Sequence, residues 1–161
     1  SVRIDTPIRT SPSACATTPR DGQQGTWIVP EMIDAYCRCH EQGVAHSVET
    51  WVGGQLVGGL YCIGIGRMVF GESMFSHRTD ASKIALAALV CFCREHGVEM
   101  IDCQQRTGHL ASFGGRELPR AEFERRLIPC LKEPAITDWT YDSRLWRHLG
   151  IGGPQPEESA P

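Results

Sequence analysis

The chain has 161 residues, of which 41% are hydrophobic and 22% charged, and a formal net charge of −3. That length suits one domain with a sound core, and the acidic balance gives no global pull toward a polyanion. No apolar run approaches the roughly 20 residues of a membrane span. No basic segment followed by an apolar stretch opens the chain as a secretory leader would, so a cytoplasmic protein is expected.

Residues 1–25 are rich in Pro, Ser, Thr, Gly and Gln and read as an N-terminal arm or linker. The start at Ser1, without methionine, reads as a processed or truncated piece of a longer protein. Pro30 fits the first turn of a helix whose apolar stripe is Met32, Ile33, Tyr36 and Cys37, ending near Gly43. Tyr36 on that stripe offers aromatic surface for base stacking, but core packing is the expectation. Ala45 to Val52 reads as a strand, Gly53-Gly54 as a hairpin turn and Gln55 to Ile65 as the returning strand. Gly66-Arg67 turns the chain into a third strand, Met68 to Phe75, completing an antiparallel meander. Asp80 or Ser82 is expected to cap a helix reaching about His96, with Ile84, Leu86, Leu89, Val90 and Cys93 on its buried side. Gly97 ends it. A short strand is predicted over Glu99 to Gln104, and Pro119 precedes a helix from Arg120 to Leu127.

The crossover from Phe75 through the helix to Met100 makes its two strands parallel neighbours with a right-handed connection. The fold class is therefore α+β, a mixed and mostly antiparallel sheet flanked by helices over residues 26–150. Residues 151–161 are expected to form a flexible acidic tail.

Two carboxylates stand out inside apolar strands. Glu72 follows Val69-Phe70, and Asp102 follows Met100-Ile101. Burying a charge costs several kcal/mol unless it is paired. Two readings follow: a buried salt bridge or cap, with Arg67 or Arg106 as partners for Glu72, or a polar site in the middle of the sheet. Asp102 and Gln104, two apart on a predicted strand, would share one face.

The eight cysteines include the C-x-C pairs Cys37/Cys39 and Cys91/Cys93. On a helix such neighbours point about 200° apart, and no zinc-type spacing accompanies them. Reduced, buried thiols and no metal are expected. Arg67, Arg78, Lys83 and Arg94 form one basic group. Arg116, Arg120, Arg125 and Arg126 form another, largely offset by Glu117, Glu122 and Glu124. Solvated surface and a phosphate-contacting face are both open readings of these groups. At the helix start, Arg78 and Lys83 would add charge to a dipole end suited to anions. No histidine and serine form a nucleophile–base pattern, which argues against hydrolysis.

The blocks Gly25-Thr26-Trp27-Ile28, Ala45-His46-Ser47-Val48-Glu49, Gly58-Gly59-Leu60-Tyr61, Gly71-Glu72-Ser73-Met74-Phe75-Ser76, Asp80-Ala81-Ser82-Lys83 and Ile101-Asp102-Cys103-Gln104 follow one another in order. His109-Leu110-Ala111-Ser112 and Arg116-Glu117-Leu118-Pro119-Arg120 continue the series. Together, over roughly residues 14–130, they resemble the bacterial leucyl/phenylalanyl-tRNA–protein transferases. The resemblance implies a fold related to the Gcn5-type N-acyltransferases. It implies transfer of Leu or Phe from aminoacyl-tRNA to proteins with N-terminal Arg or Lys, marking them for N-end-rule degradation, without metal or diffusible cofactor.

It also implies roles. Asp102 and Gln104 match the proton-handling pair, and Glu72 the carboxylate near the acceptor's basic residue. Trp27 matches an aromatic that holds the terminal adenosine of the tRNA. Leu60, Val69, Leu86, Leu89, Cys93 and Ile101 match the pocket for the transferred side chain. Family members carry an N-terminal module completing the adenosine pocket, to which nothing in this chain corresponds. Two other functions are weighed beside this one: an acyl-CoA-dependent N-acetyltransferase, and a non-catalytic aminoacyl-tRNA or peptide-binding module. Ser76 to Ala81 lacks the glycines that a pyrophosphate-cradling loop needs, which disfavours the first.

Overall fold

Sequential strands joined by tight turns pair antiparallel, and that local rule builds most of this molecule. In the computed structural model, which describes residues 1–6 and 29–150, five strands form one sheet in the order β1-β2-β3-β4-β5. They are β1 (Val2–Ile4), β2 (Ala45–Val52), β3 (Gln55–Ile65), β4 (Met68–Ser76) and β5 (Met100–Asp102). The first four pair antiparallel, and β5 joins β4 in parallel. The helices are α1 (Pro30–Glu41), α2 (Ala81–Glu95), α3 (Gly108–Ser112) and α4 (Arg120–Lys132), followed by a 3-10 helix over Ser143–Leu149. Among the described residues no helix is long and apolar enough to cross a membrane.

The meander and the β4–α2–β5 crossover stand as the sequence led us to expect. Residues 1–6 do not belong to a loose arm: Val2–Ile4 pairs with Val48–Thr50 at the sheet edge. The remainder of the predicted arm, and the predicted tail, lie outside the described residues.

The core lies where α2 packs on the sheet. Ala81, Ala85, Ala88 and Phe92, with Leu86, Leu89 and Cys93, are buried at three- and four-residue spacing. Ile84, expected on this face, is exposed, because the alanines take its place against the strands. They permit a close approach. A Cβ on Gly58 of β3 would stand 2.5 Å from the Ala81 Cβ, so a side chain there would push the helix off the sheet. Neither predicted cap acts. Asp80 is left-handed, with φ +63°, and its side chain makes no cap bond; the Ser76 hydroxyl accepts from the Ser82 N–H at 3.4 Å instead. The Asp80 carboxylate pairs with Lys83 Nζ at 2.6 Å.

Trp139 closes the far side. It stacks on His46 at 3.7 Å and on Phe92 at 4.7 Å between ring centroids, with Gly64 leaving room for its ring. Cys62, Cys91 and Cys93 are buried, whereas Cys37, Cys39, Cys103 and Cys130, expected to be buried too, are only half-buried. Burial pushes the Cys93 thiol up to about 12, far from reactive thiolate.

Candidate functional site at the parting of two strands

β5 pairs with β4 only through Met68, Val69 and Phe70, so from Gly71 onward β4 has no strand partner on that side among the described residues. At the same point the β3–β4 register slips: Tyr61 faces Ser73, but Cys62 faces Gly71. Glu72 is the extra residue of this bulge. A bulge re-aims a side chain out of the regular alternation. Here it sets a carboxylate where β4 and β5 part, within reach of Gln104.

Glu72 is half-buried and has two donors. The Tyr36 hydroxyl of α1 reaches Oε2 at 2.8 Å, and the Gln104 amide Nε2 reaches Oε1 at 3.2 Å. Burial, reinforced by the adjoining Glu72 carboxylate, holds the Tyr36 proton on well above the ordinary phenol range. Tyr36 also meets Tyr61 edge-on at 4.6 Å. Of the two readings, the buried salt bridge is not what forms. Arg67 bonds the His96 carbonyl, and Arg106 pairs with Glu117.

Gln104 does not share a strand face with Asp102. The strand ends at Asp102, and Gln104 takes the left-handed conformation, with φ +59°. The Asp102 Oδ1 atom accepts from the Gln104 backbone N–H at 2.8 Å, an Asx turn that holds the strained residue in place. Asp102 therefore positions Gln104 through its backbone, and Gln104 turns its amide onto Glu72. The expected trio is brought together, but wired differently. With Nε2 committed to Glu72, the Gln104 side-chain oxygen is the atom left to accept a proton donor.

Leu60, Val69, Leu86, Leu89 and Cys93 share the main apolar cluster, with Ile101 and Met74 packed against it at partial exposure. Arg78 is exposed at the α2 start. Lys83 is half-exposed and tied to Asp80. Trp27 lies outside the described residues. Tyr36 packs against the Tyr61 and Phe75 cluster, as its helix stripe implies; the part sequence reasoning missed is its hydroxyl on Glu72. A cleft of about 750 Å³ runs beside β5, lined from Glu99 to Thr107 and by α3, α4 and the loop between them. Among the six apolar-pocket residues only Ile101 lines it.

Asp5, His40 and His46 offer three potential metal-ligand atoms within 4.8 Å of one another. Their polar atoms are already used within the fold. His46 lies against Asp5 at 2.8 Å and the Gly43 carbonyl at 3.2 Å, and His40 against the Ala45 carbonyl at 2.8 Å. The cluster sits on the other side of β3 from Glu72.

The family described as leucyl/phenylalanyl-tRNA protein transferase matches residues 1–128. A leucyl/phenylalanyl-tRNA–protein transferase of Leptothrix cholodnii is 57% identical over 99% of this chain and 62% of its own length. The namesake of Methylibium petroleiphilum is 55% identical over 99% of this chain and 60% of its own length. That of Cupriavidus necator is 58% identical over 89% and 58%, respectively. The chain thus spans about three fifths of the length of the curated relatives it matches. A solved ribosomal-protein-alanine N-acetyltransferase of Brucella melitensis overlaps 88% of this chain and 97% of its own, with a TM-score of 0.41 and 10% identity. A likeness that shallow carries no argument here.

Proposed function

This chain belongs to the leucyl/phenylalanyl-tRNA protein transferase family, and from that premise we propose that it serves transfer of Leu or Phe from aminoacyl-tRNA to the α-amine of proteins beginning with Arg or Lys. The reading places it in the cytoplasm, where it would mark such proteins for N-end-rule degradation. The observation that carries it is the bulged Glu72 held between Tyr36 and Gln104 where β4 and β5 part.

The reaction is aminolysis of an ester. Glu72 receives the cationic side chain of the acceptor through charge-assisted hydrogen bonds. The acceptor's α-amine, with pKa near ~8, needs little help to expose its lone pair. It donates to the Gln104 side-chain oxygen, which orients it on the ester carbonyl. The new C–N bond forms as the ester C–O bond breaks, and the amine's proton ends on the departing ribose oxygen. Asp102 is a positioning residue in this account. The aminoacyl side chain meets the apolar cluster of Leu60, Val69, Leu86, Leu89, Cys93 and Ile101. Trp27 stacks on the terminal adenine, and Arg78 and Lys83 contact phosphates near it.

The test is incubation with labelled leucyl-tRNA and an Arg-starting peptide, with labelled acetyl-CoA as the competing donor. Label is expected on the peptide from leucyl-tRNA alone. Transfer from acetyl-CoA would overturn the reading in favour of an acetyltransferase. Affinity for leucyl-tRNA without transfer would favour a binding module.

A further inference from the structure

We propose that the cleft along the free edge of β5 receives the extended chain of the acceptor polypeptide just beyond its N-terminal basic residue, and that Arg116 and Arg126 favour acidic side chains there. The inference rests on the reading of Glu72 given above. β5 is the last strand of the sheet, so its outer edge has no strand partner among the described residues. An unpaired edge offers main-chain N–H and C=O groups to an extended peptide. Gln104 lies at one end of this edge, lines the cleft and touches Glu72. An acceptor whose first side chain reaches Glu72 therefore starts beside it. At about 3.3 Å per residue, its next few residues fall along the cleft.

Charge decides the kind of chain. Arg106, Arg116, Arg120 and Arg126 line the cleft, facing Glu99, Asp102 and Glu117. Arg106 is engaged by Glu117 and Arg120 by Glu124. Arg116 and Arg126 have no ion-pair partner among the described residues, so they are the cations left to read a ligand. A nucleic-acid backbone would bring its phosphates against three carboxylates. A polypeptide can set acidic side chains on the free arginines while its main chain follows the strand edge.

The test measures binding of three probes to the full chain by calorimetry: Arg-Leu amide, Arg-Leu-Glu-Glu-Leu and Arg-Leu-Lys-Lys-Leu. The acidic pentapeptide is expected to bind about tenfold more tightly than its lysine counterpart. Arg116→Glu with Arg126→Glu should abolish that preference and leave the dipeptide unchanged. Arg116→Gln with Arg126→Gln should reduce the preference only in part. Urea melts confirm that each variant folds. Methylating alternate amides of the acidic peptide should weaken binding in one phase of the alternation and spare it in the other. Equal binding of dipeptide and pentapeptides, or indifference to methylation, overturns the proposal. So does loss of affinity for a tRNA acceptor-stem microhelix in the double variants with peptide binding unmoved, which would make the cleft a nucleic-acid surface. Failure of the dipeptide itself to bind overturns the Glu72 reading on which the proposal stands.

Discussion

The two edges of this sheet each carry a carboxylate network, and they differ in whether the network is closed. At the β1–β2 edge, Glu49 is fully buried and accepts from the Ser47 hydroxyl and from Thr6 at 2.5 Å. Asp5 beside it takes the Ser47 N–H at 2.9 Å and His46 at 2.8 Å. These groups spend their capacity on one another, as buried polar groups must. At the β4–β5 edge, a half-buried Glu72 meets an exposed Gln104 where the two strands part. The first network ties the N-terminal strand to the sheet. The second keeps polar atoms for a ligand.

Substitution should separate the two edges most widely. Glu49→Ala strands two hydroxyls and leaves a void, and should cost about 3 kcal/mol of unfolding free energy. Glu72→Ala should cost less than about 1 kcal/mol. Urea denaturation of both measures the gap, and equal losses would erase the distinction drawn between the edges.

The Asx turn at Asp102 is a smaller element. Asp102→Ala should cost about 1 kcal/mol and release Gln104 from its left-handed conformation. Asp102→Asn keeps an oxygen for the Gln104 N–H and should hold the turn. The two variants compared by amide exchange at Gln104, and by transfer rate, separate the turn from the charge. If Asp102→Asn loses protection at Gln104 as fully as Asp102→Ala does, the turn is not what Asp102 provides.

The smallest expected effect is a pH dependence confined to the closed edge. Burial raises the Glu49 carboxyl above its ordinary value of 4.5, with the Ser47 and Thr6 hydroxyls opposing that shift in part. The folded state therefore binds this proton more tightly than the unfolded chain does. Its contribution is fully present below the unfolded value and is lost as pH rises through the folded one. Urea midpoints of the native chain should fall over the window above pH 4.5 relative to those of Glu49→Gln, and converge with them in acid. A parallel pair of curves would show that Glu49 does not titrate differently in the fold.

Local pattern made most of the sheet legible. The Gly53-Gly54 and Gly66-Arg67 turns set the meander, and the apolar run of α2 set the crossover. Non-local partners were not legible. Val2–Ile4 is too short to announce a strand, and only β2 beside it makes it one. Trp139 enters the core from a stretch without periodicity, because its partners His46 and Phe92 lie far away in sequence. Glu49, not Glu72 or Asp102, is the most buried carboxylate among the described residues. Ser47, two residues before it on the same strand face, disguises it by making that face of β2 look half-solvated. An aspartate two residues before a glutamine is an Asx-turn signal that the apolar run around Asp102 concealed.

Glu72, in this reading, is held open for the acceptor's basic residue. Glu72→Gln preserves shape and removes the charge, so its effect on the two substrates of the transfer assay tests that claim most directly. The KM for Arg-starting peptides should rise on the order of tenfold or more, with the KM for leucyl-tRNA and the urea midpoint unchanged. A rise in the leucyl-tRNA KM with the peptide KM unmoved, or a loss of stability with both intact, would contradict it.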